Sequence, residues 1–377
     1  MTEAVRRLRA GVAPFDAGHE AFRASVRRFV AQELTPHAHR WERSGRFPRR
    51  ALASCGRRGY LDLDASRTAV LAEELAACDS MGVALSIFVQ AGLVGPLVGQ
   101  LGTVAQKRRW LAPLRAGRCF GALAVTEPGA GSDFAGLTCR ATAGTGGFAI
   151  DGEKTYITNA AAADFLVVAA RLGPRPDADL TLFVVPADAR GVRVTPLAAL
   201  GLGPSAMGRI SFTKCRLPVD AMLGESGAAY GYIQDALNRE RLFGGIGAVA
   251  CAARALEKTA AFLKTRRAFG RTLSRFQTIR HQLADHAAAL EAARQLNYAT
   301  FVRWLAGEDV TKEIAMIKLF GYRQAQLAIE TCLQMHGGLG FLADHWTSRW
   351  YRDARALTIA AGTPEVMREI IAAHLRL

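Results

Sequence analysis

The segment TEPGAGSD, residues 126–133, has residue types that suit a flat or phosphorylated ligand. It follows an apolar run, residues 122–125, that is typical of a buried strand. A strand that ends in small residues exposes backbone that no large side chain covers. The two glycines of the segment also allow positive φ angles and a close approach of the backbone to a ligand. The hydroxyl groups of Thr126 and Ser132 can donate or accept hydrogen bonds at the same place.

A second segment, DGEKTYITN at residues 151–159, repeats this arrangement. Tyr156 and Thr158 are two residues apart, so on an extended chain they lie on one face. Two strand ends of this kind can form a wall for a planar ring. The alternative is two hairpin corners of a β-rich domain, where Gly, Asp and Asn are expected in any case. Residue types alone favour the hairpin corners.

Together the two segments resemble the paired signature of the acyl-CoA dehydrogenase family, a group of FAD enzymes. The resemblance runs from about Phe22 to the C-terminus, which is nearly the whole chain. Further segments follow in the family's order and at its spacing: RRAFGRTLSRFQ at residues 266–277, LADH at residues 283–286, QMHGGLGF at residues 334–341, YRDAR at residues 351–355 and Gly362-Thr363. Each segment is a weak signal alone, but the ordered set is specific.

The positions of the prolines divide the chain into three parts. Seven of the thirteen prolines lie between Pro128 and Pro218, and none lies between Val219 and Thr363. Because proline is excluded from helix interiors, the proline-free part allows long helices. We therefore predict an α+β protein with an N-terminal helical domain (residues 1–118), a middle antiparallel β-domain (residues 119–226) and a C-terminal helical domain (residues 227–377). The resemblance implies the same fold, with a C-terminal four-helix bundle that builds homodimers or homotetramers.

Hydrophobic periodicity predicts the individual elements. Helices are predicted at residues 69–77, 86–98, 245–261, 283–296 and 314–329. Short strands are predicted at residues 141–142, 148–150, 165–169, 182–185, 192–194 and 210–212, with a hairpin turn at residues 144–147.

The reaction implied by the resemblance is α,β-dehydrogenation of an acyl thioester, which makes the protein an oxidoreductase acting on CH–CH groups. A base removes the α-proton while the β-hydrogen leaves as hydride to N5 of the flavin. The protein must supply the base, donors for the developing enolate oxygen, and orientation of the ring.

Glu240 is the predicted base. Many family members have a glutamate immediately before the Gly-Thr near the C-terminus, but this chain has Ala361 there, which carries no carboxylate. Isovaleryl- and long-chain-type members instead place the base on the first helix after the β-domain. Glu240, in LNRERL at residues 237–242, falls on that position. In an apolar flavin pocket, desolvation would raise the pKa of this carboxyl toward the working pH.

The competing interpretation of Glu240 is an exposed carboxylate near a helix start, paired with Arg239 or Arg241. Glu365 is the nearest rival base, but it follows a proline at a predicted helix start, where a first-turn acid is common. Glu127, in the first glycine-rich segment, is interpreted as structural.

The resemblance also assigns the remaining site residues. Those expected to line the isoalloxazine ring and ribityl chain are Val125, Thr126, Ser132, Tyr156 and Thr158, with Thr363 as a further flavin contact. Those expected to reach the FAD of a neighbouring subunit are Arg266, Phe269 and Gln277, and those expected near its adenosine are Gln334, Gly337 and Gly338. Those expected near the thioester and its phosphopantetheine arm are Ser132, Asn238, Arg241, Ala361 and Gly362. No metal site is predicted.

Composition limits the class of protein further. With 377 residues, of which 50% are hydrophobic, the chain can bury a large core and is not disordered. The seven cysteines are scattered without a CxxC pair, which indicates reduced thiols in a cytoplasm-like compartment. The basic segment at residues 1–22 lacks the apolar core of a signal peptide, and the apolar run at residues 242–253 is too short to span a bilayer. We therefore predict a cytoplasmic protein with no membrane partner.

The formal net charge of +15 indicates either attraction to an acidic partner or a generally arginine-rich proteome. The arginines are spread along the chain, so a nucleic-acid groove is not favoured. Residues 62–68 are shorter than the loop that family members carry near the substrate mouth. The positive net charge and the short loop together favour an acyl group that is carried by an acidic acyl- or peptidyl-carrier protein in a biosynthetic pathway. The alternative carrier is CoA. The resemblance implies an electron-transferring flavoprotein as the electron acceptor, with oxygen as the alternative.

Two other function classes stay open. The alanine at position 361 is compatible with a flavin monooxygenase, or another flavin enzyme that needs no carboxylate base. The third class is a basic flavoprotein that binds nucleic acid. Such relatives carry an additional C-terminal domain, whereas this sequence ends directly after its last predicted helix.

Overall fold

The structure, a computed structural model, describes residues 15–173 and 179–377. Most of the N-terminal segment that bears on the signal-peptide prediction lies outside the described residues. The chain divides into two compact units. Unit 1 takes its described residues from Met1–His39, Asp64–Ala84 and Glu240–Leu377, and unit 2 takes them from Arg40–Leu63 and Leu85–Arg239. The three domain boundaries given above stay a prediction.

Fourteen α-helices lie in the described residues. In chain order they are α1 Ala17–Phe29, α2 Thr35–Ser44, α3 Arg49–Arg57, α4 Ala65–Leu75, α5 Met81–Phe88, α6 Gly95–Leu101, α7 Val104–Gln106, α8 Ala112–Arg115, α9 Ala229–Thr265, α10 Gln277–Leu305, α11 Thr311–Met316, α12 Tyr322–His336, α13 Trp346–Leu357 and α14 Pro364–His374. Four π-helical turns connect successive helices: Val30–Leu34, Val89–Val94, Lys107–Leu111 and Ile317–Gly321.

The helices begin where local chemistry satisfies their free backbone groups. The Asp16 side chain accepts a hydrogen bond from the backbone of His19 at 2.9 Å, and Asp64 accepts one from the backbone of Arg67 at 2.7 Å. Such caps stabilise the starts of α1 and α4 by about 1 kcal/mol each. The five predicted helices are confirmed, and the proline-free part of the chain contains α9, which is 37 residues long.

Unit 2 contains an eight-stranded sheet. Its strands are β1 Gly121–Ala124, β2 Arg140–Gly144, β3 Gly147–Ile157, β4 Phe165–Arg171, β5 Leu180–Pro186, β6 Val192–Pro196, β7 Gly208–Pro218 and β8 Met222–Leu223, and a separate hairpin in unit 1 is formed by β9 Arg267–Ala268 and β10 Arg271–Thr272. The sheet order is β6-β7-β3-β2-β4-β5-β8, with β1 paired to β4.

The sheet confirms the predicted fold class, and its pairings are mixed. Most neighbours are antiparallel, including β2 and β3, whose register pairs Gly144 with Gly147 across the predicted hairpin turn. The two parallel pairings both involve strand β4, which is parallel to β1 and to β2 but antiparallel to β5. A parallel pair needs a connection that crosses over, and both connections here are longer than a hairpin loop.

Strand β4 lies at the centre of the unit 2 core. Its alternate side chains Phe165, Val167 and Ala169 pack in one apolar cluster, which includes residues of α6 and of the π turn before it. The intervening side chains of β4 pack in a second cluster with apolar residues of β2, β3 and β7. A strand buried on both faces is expected to be apolar at every position, which explains the continuous run FLVVAA.

Two composition-based expectations can be compared with the described residues. All seven cysteines are buried and none forms a disulfide. One helical stretch, Met81–Leu101, has the length and apolar composition of a membrane span, and 83% of its most apolar window is buried inside the protein. Buried core helices pass the same test, so this stretch is weak support for a membrane span.

Candidate active site

In unit 2 the two glycine- and hydroxyl-containing segments lie side by side. Strand β1 ends at Ala124, two residues before the first segment begins at Thr126. The backbone N–H of Thr155, near the end of β3, donates to the carbonyl of Thr126 at 2.8 Å. The Nζ of Lys154 donates to the carbonyl of Val125, also at 2.8 Å. Direct hydrogen bonds therefore join the two strand ends that the sequence pattern paired.

Glu127 fixes the base of the first segment. Its carboxylate forms a buried ion pair with Lys154 at 2.8 Å and accepts hydrogen bonds from the backbone of Thr138 and Cys139 and from the Thr138 hydroxyl. Burial alone would raise the pKa of Glu127, but the Lys154 charge and these hydrogen bonds hold it below its ordinary value. The carboxylate stays ionised and fully engaged, so the structural interpretation of Glu127 is confirmed.

Tyr156 does not have the extended geometry expected from the sequence. Its φ is +58°, and the register of β3 with β7 shifts between Lys154 and Ile157. The expectation that Tyr156 and Thr158 lie on one face of an extended chain is therefore wrong, because a bulge interrupts the alternation of side chains. The Tyr156 ring is 64% exposed, and Thr158 is half-buried in the turn that follows.

These strand ends fit the flavin that the sequence predicts. An added Cβ at Gly129 or Gly131 would meet no atom within 4 Å, so the backbone of the segment is open to a bound group. Thr126 is half-buried and Ser132 is exposed, which leaves their hydroxyl groups near a surface. With the exposed Tyr156 ring, the surface offers donors and a flat apolar face, which is what a polar-edged aromatic ring needs.

Arg171 is a supporting residue that the sequence patterns did not identify. It ends the otherwise apolar strand β4 and is 8% exposed. Its Nε donates to the carbonyl of Leu137 and its Nη2 to that of Ala135. Arg171 therefore holds the segment that follows the glycine-rich motif. A charged residue at the end of a fully apolar strand is the signal that could have indicated it.

In unit 1, Glu240 lies on α9 and is half-buried. Its carboxylate makes no hydrogen bond or ion pair with the part of unit 1 that the structure describes. Desolvation raises the pKa of Glu240, while the charges of Lys318 and Arg241 act in the opposite direction. A half-buried carboxylate with a raised pKa suits a general base, and it does not suit the exposed, paired carboxylate of the competing interpretation.

The chain turns between α13 and α14, and we call residues 357–361 the Ala361 turn. Arg241, the residue that follows Glu240, holds this turn in place. Ala361 has φ +57° and Gly362 has φ +108°, so two successive residues adopt the left-handed region. The Nε of Arg241 donates to the carbonyl of Ala361 at 2.7 Å, and its side chain is buried. We assign Arg241 to support of this turn. Its contact with a phosphopantetheine arm stays a prediction.

Three further candidates lie close to Glu240 or Ala361 in the sequence. Asn238 lies on α9 in unit 2 and is half-buried. Thr363 is half-buried at the start of α14. Glu365 is exposed, and hydrogen bonds from a backbone N–H and from the Thr363 side chain hold the pKa of its carboxyl below the ordinary value. Glu365 therefore has the character of a first-turn acid rather than of a base.

The residues expected to reach a neighbouring subunit form an exposed edge of unit 1. Arg266, Phe269 and Gln277 surround the β9–β10 hairpin, and all three are exposed. Gln334, Gly337 and Gly338 are also exposed, at the end of α12. The ring of Phe262 stacks on that of His336 with centroids 4.3 Å apart, so the ends of α9 and α12 lie together.

Three family models match the chain along most of its length. They are described as acyl-CoA dehydrogenase N-terminal domain (residues 16–118), middle domain (residues 122–215) and C-terminal domain (residues 230–376). The mitochondrial long-chain specific acyl-CoA dehydrogenase of Mus musculus is 30% identical over 381 residues, which cover 96% of this chain and 87% of that protein.

Solved structures show the same similarity to acyl-CoA dehydrogenases. The crystal structure of a probable acyl-CoA dehydrogenase from Mycobacterium abscessus has a TM-score of 0.93 at 32% identity and covers 96% of this chain and 99% of that one. A glutaryl-CoA dehydrogenase from Mycobacterium smegmatis in complex with FADH2 has a TM-score of 0.89 at 27% identity, with 96% and 95% of the chains covered.

Proposed function

Because the chain belongs to the acyl-CoA dehydrogenase family, we propose that it uses FAD to oxidise the CH–CH bond of an acyl thioester, carried by CoA or by a carrier protein, with Glu240 as the base. The family, the enzyme class and the FAD cofactor predicted from the sequence are confirmed by these relatives. The identity of the base, the acyl group and its carrier go beyond them and form the rest of the proposal.

The observation that carries the choice of base is the combination of Ala361 with Glu240. No carboxylate can act from position 361, and the first helix after the sheet contributes a half-buried carboxylate with a raised pKa. A base is most effective when its pKa lies near the working pH. Desolvation moves Glu240 in that direction, whereas Glu365 is exposed and its pKa is lowered.

We assign the remaining steps to side chains and backbone already described. Glu240 takes the α-proton, and the backbone N–H of Ala361 donates to the developing enolate oxygen, a role that needs no side chain. Arg241 supports this N–H by fixing the carbonyl of the same residue. Val125, Thr126, Ser132, Tyr156 and Thr158 hold the flavin. When bound, the flavin supplies the acceptor for the β-hydrogen, which leaves as hydride.

The carrier of the acyl group is proposed from charge and from one short loop. The +15 net charge would attract an acidic carrier protein, and CoA is itself anionic. The connection between α3 and α4 is short, and Asp62 in it forms an ion pair with Arg115 at 2.9 Å. We favour an acidic carrier protein, as in a biosynthetic pathway. Turnover of acyl-CoA without turnover of the matching carrier-bound group would contradict this choice.

The exposed edge of unit 1 supports a homodimer or homotetramer. Phe269 is 93% exposed, which is unusual for a large aromatic residue unless another surface covers it. We propose that this edge, with Arg266 and Gln277, reaches the FAD of a second copy. An electron-transferring flavoprotein or oxygen would reoxidise the flavin. All seven cysteines are buried and form no disulfide, which supports a cytoplasmic location.

The test is anaerobic bleaching of the bound flavin by a panel of acyl-CoA and acyl-carrier thioesters. Wild type should be bleached by at least one thioester, and Glu240→Gln should slow that reaction by roughly 10²–10⁴-fold. The matched control is Glu365→Gln, which should react at nearly the wild-type rate. Equal rates for wild type and Glu240→Gln would show that the base lies elsewhere.

A flavin monooxygenase is the second candidate, because Ala361 removes the carboxylate that many family members carry there. In that case no thioester would bleach the flavin under anaerobic conditions. The Glu240→Gln variant would then retain its oxygen-dependent activity.

A further inference from the structure

Unit 1 contains a buried lysine that the proposed reaction does not use. Lys318 lies in the π-helical turn Ile317–Gly321 and is 5% exposed. Its Nζ donates a hydrogen bond to the carbonyl of Leu357 and lies 4.0 Å from the centre of the Tyr322 ring. Burial of an ammonium group is costly unless charges and acceptors surround it. Single π-helical turns inside helices are frequent at functional sites.

The π turn packs directly against the part of α9 that follows the base. An added Cβ at Gly245 would lie 2.5 Å from Cγ2 of Ile317, and one at Gly244 would lie 2.2 Å from the Tyr322 hydroxyl. That hydroxyl donates to the carbonyl of Arg241 at 3.0 Å. Two adjacent glycines therefore let the turn that carries Lys318 approach α9 within five residues of Glu240.

The hydrogen bond from Lys318 also reaches the Ala361 turn. Leu357 is the last residue of α13, where backbone carbonyls lack helical partners and a cation is favourable. The chain then makes a tight turn, in which the backbone N–H groups of Ile359 and Ala360 both donate to the carbonyl of Ala356. Lys318 therefore anchors the start of this turn, and Arg241 anchors its end at Ala361.

We propose that Lys318 is a positioning residue for proton abstraction: the same side chain anchors the start of the Ala361 turn and places a cation beside the segment of α9 that carries Glu240. This inference rests on the proposed function, in which Glu240 is the base. It adds a residue that is 78 positions away in the sequence and belongs to no catalytic motif identified above.

The electrostatic surroundings of Glu240 support this role. The cations that act on it are Lys318 in the π turn and Arg241 on its own helix, and the third titratable group is the phenol of Tyr322 on α12, whose pKa is raised by burial and by the charge of Glu240. The pKa of Glu240 is raised by desolvation and lowered first by Lys318, then by Arg241. Burial lowers the pKa of Lys318 to about 7, and the charge of Glu240 acts in the opposite direction, so Lys318 carries its charge on the acidic side of the pH range.

The first experiment separates the charge of Lys318 from its hydrogen bond. Flavin reduction by the best thioester is measured from pH 5 to pH 10 in FAD-loaded wild type, Lys318→Gln, Lys318→Arg and Tyr322→Phe. Lys318→Gln keeps a donor but loses the charge, so the acidic limb of the rate profile should shift upward by about one pH unit. Lys318→Arg and Tyr322→Phe keep the cation, so their acidic limbs should stay in place.

An acidic limb that stays at the wild-type pH in Lys318→Gln would overturn the inference, even if the maximal rate fell. A uniform loss of rate at every pH is what a purely structural role predicts. FAD content and Tm of each variant show whether it is folded.

The second experiment does not depend on turnover. The Tm is measured across pH 5–9 in wild type, Glu240→Gln, Lys318→Gln and the double variant. If the two side chains are coupled, Lys318→Gln should lower Tm more in the wild-type background than in the Glu240→Gln background, because only the former contains a carboxylate on which the Lys318 charge acts. Additive Tm changes at every pH would overturn the inference.

The two experiments also separate this inference from the proposed function. Non-additive Tm changes in a protein that no thioester bleaches would support the coupling and contradict the proposed reaction. Bleaching that Glu240→Gln abolishes, combined with additive Tm changes and an unshifted limb, would support the reaction and overturn the role of Lys318.

Discussion

Replacement of Lys154 by methionine is expected to destabilise the protein by about 3 kcal/mol, at the lower end of the 3–5 kcal/mol typical when one partner of a buried ion pair is removed. Lys154 is fully buried, and its ion pair with Glu127 has a separation of 2.8 Å. Methionine has similar volume but no charge. The substitution would leave the Glu127 carboxylate buried without its counter-charge and would remove the donor to the Val125 carbonyl.

The lower end of the range is expected because three hydrogen bonds to Glu127 would remain. They come from the backbone and hydroxyl of Thr138, at 2.6 and 2.7 Å, and from the backbone of Cys139, at 2.9 Å. Hydrogen bonds to a charged group contribute roughly 1.5–3 kcal/mol each. They compensate for part of the lost charge, and the double variant Glu127→Gln/Lys154→Met should recover part of the stability.

The assay is equilibrium unfolding in urea at pH 7 and near pH 4, with FAD content measured in parallel. The pKa of Glu127 is lowered in the folded protein, so its contribution is present above the ordinary value of 4.5 and is lost as the pH falls through the folded pKa. The difference between wild type and Lys154→Met should therefore shrink at the lower pH. An unchanged free energy of unfolding at pH 7, or a double variant no more stable than Lys154→Met, would refute this reasoning.

Two further predictions test packing in the two units. Gly245→Ala should destabilise the protein by about 1–3 kcal/mol, because its Cβ would lie 2.5 Å from a side-chain carbon of Ile317. The control is Gly231→Ala on the same helix, whose Cβ would meet no atom within 4 Å and which should stabilise the protein by about 0.5–1 kcal/mol. Equal Tm values for the two variants would contradict this prediction. Arg171→Met should lower the free energy of unfolding by about 1–3 kcal/mol and lower FAD retention, because the carbonyls of Leu137 and Ala135 lose their donors. The control is Arg140→Met, at the exposed position in register with Arg171, which should leave the free energy of unfolding and FAD retention unchanged.

The sequence predicted the elements well because their signals are local. Apolar alternation and turn glycines located the strands, and the proline-free stretch indicated the long helices. The parallel pairings of β4 were missed, because strand direction depends on which distant segments pair rather than on residue periodicity. The bulge at Tyr156 was also missed, since nothing in DGEKTYITN distinguishes a regular strand end from one with an extra residue.

Within the candidate site, the sequence identified the motif residues but not the residues that support them. Glu240 and Ala361 were predicted as site residues because each falls on a motif position, and their roles stay predictions. Arg171 and Lys318 are far along the chain from the segments that they hold, and each acts through hydrogen bonds to backbone carbonyls. A carbonyl acceptor can belong to any residue type, so such contacts leave no pattern in the sequence of the segment that is held.

The conformation of Ala361 connects these supports with the position of the base. A left-handed φ is unfavourable for alanine and persists only where the surroundings determine the backbone. Here Arg241 fixes the Ala361 carbonyl, and Lys318 fixes the Leu357 carbonyl at the start of the same turn. Alanine has no carboxylate to present, yet position 361 still has an unfavourable conformation held by two cationic side chains. An anchored left-handed turn at a residue without a carboxylate supports the proposal that the turn serves through its backbone N–H and that Glu240 on α9 supplies the carboxylate.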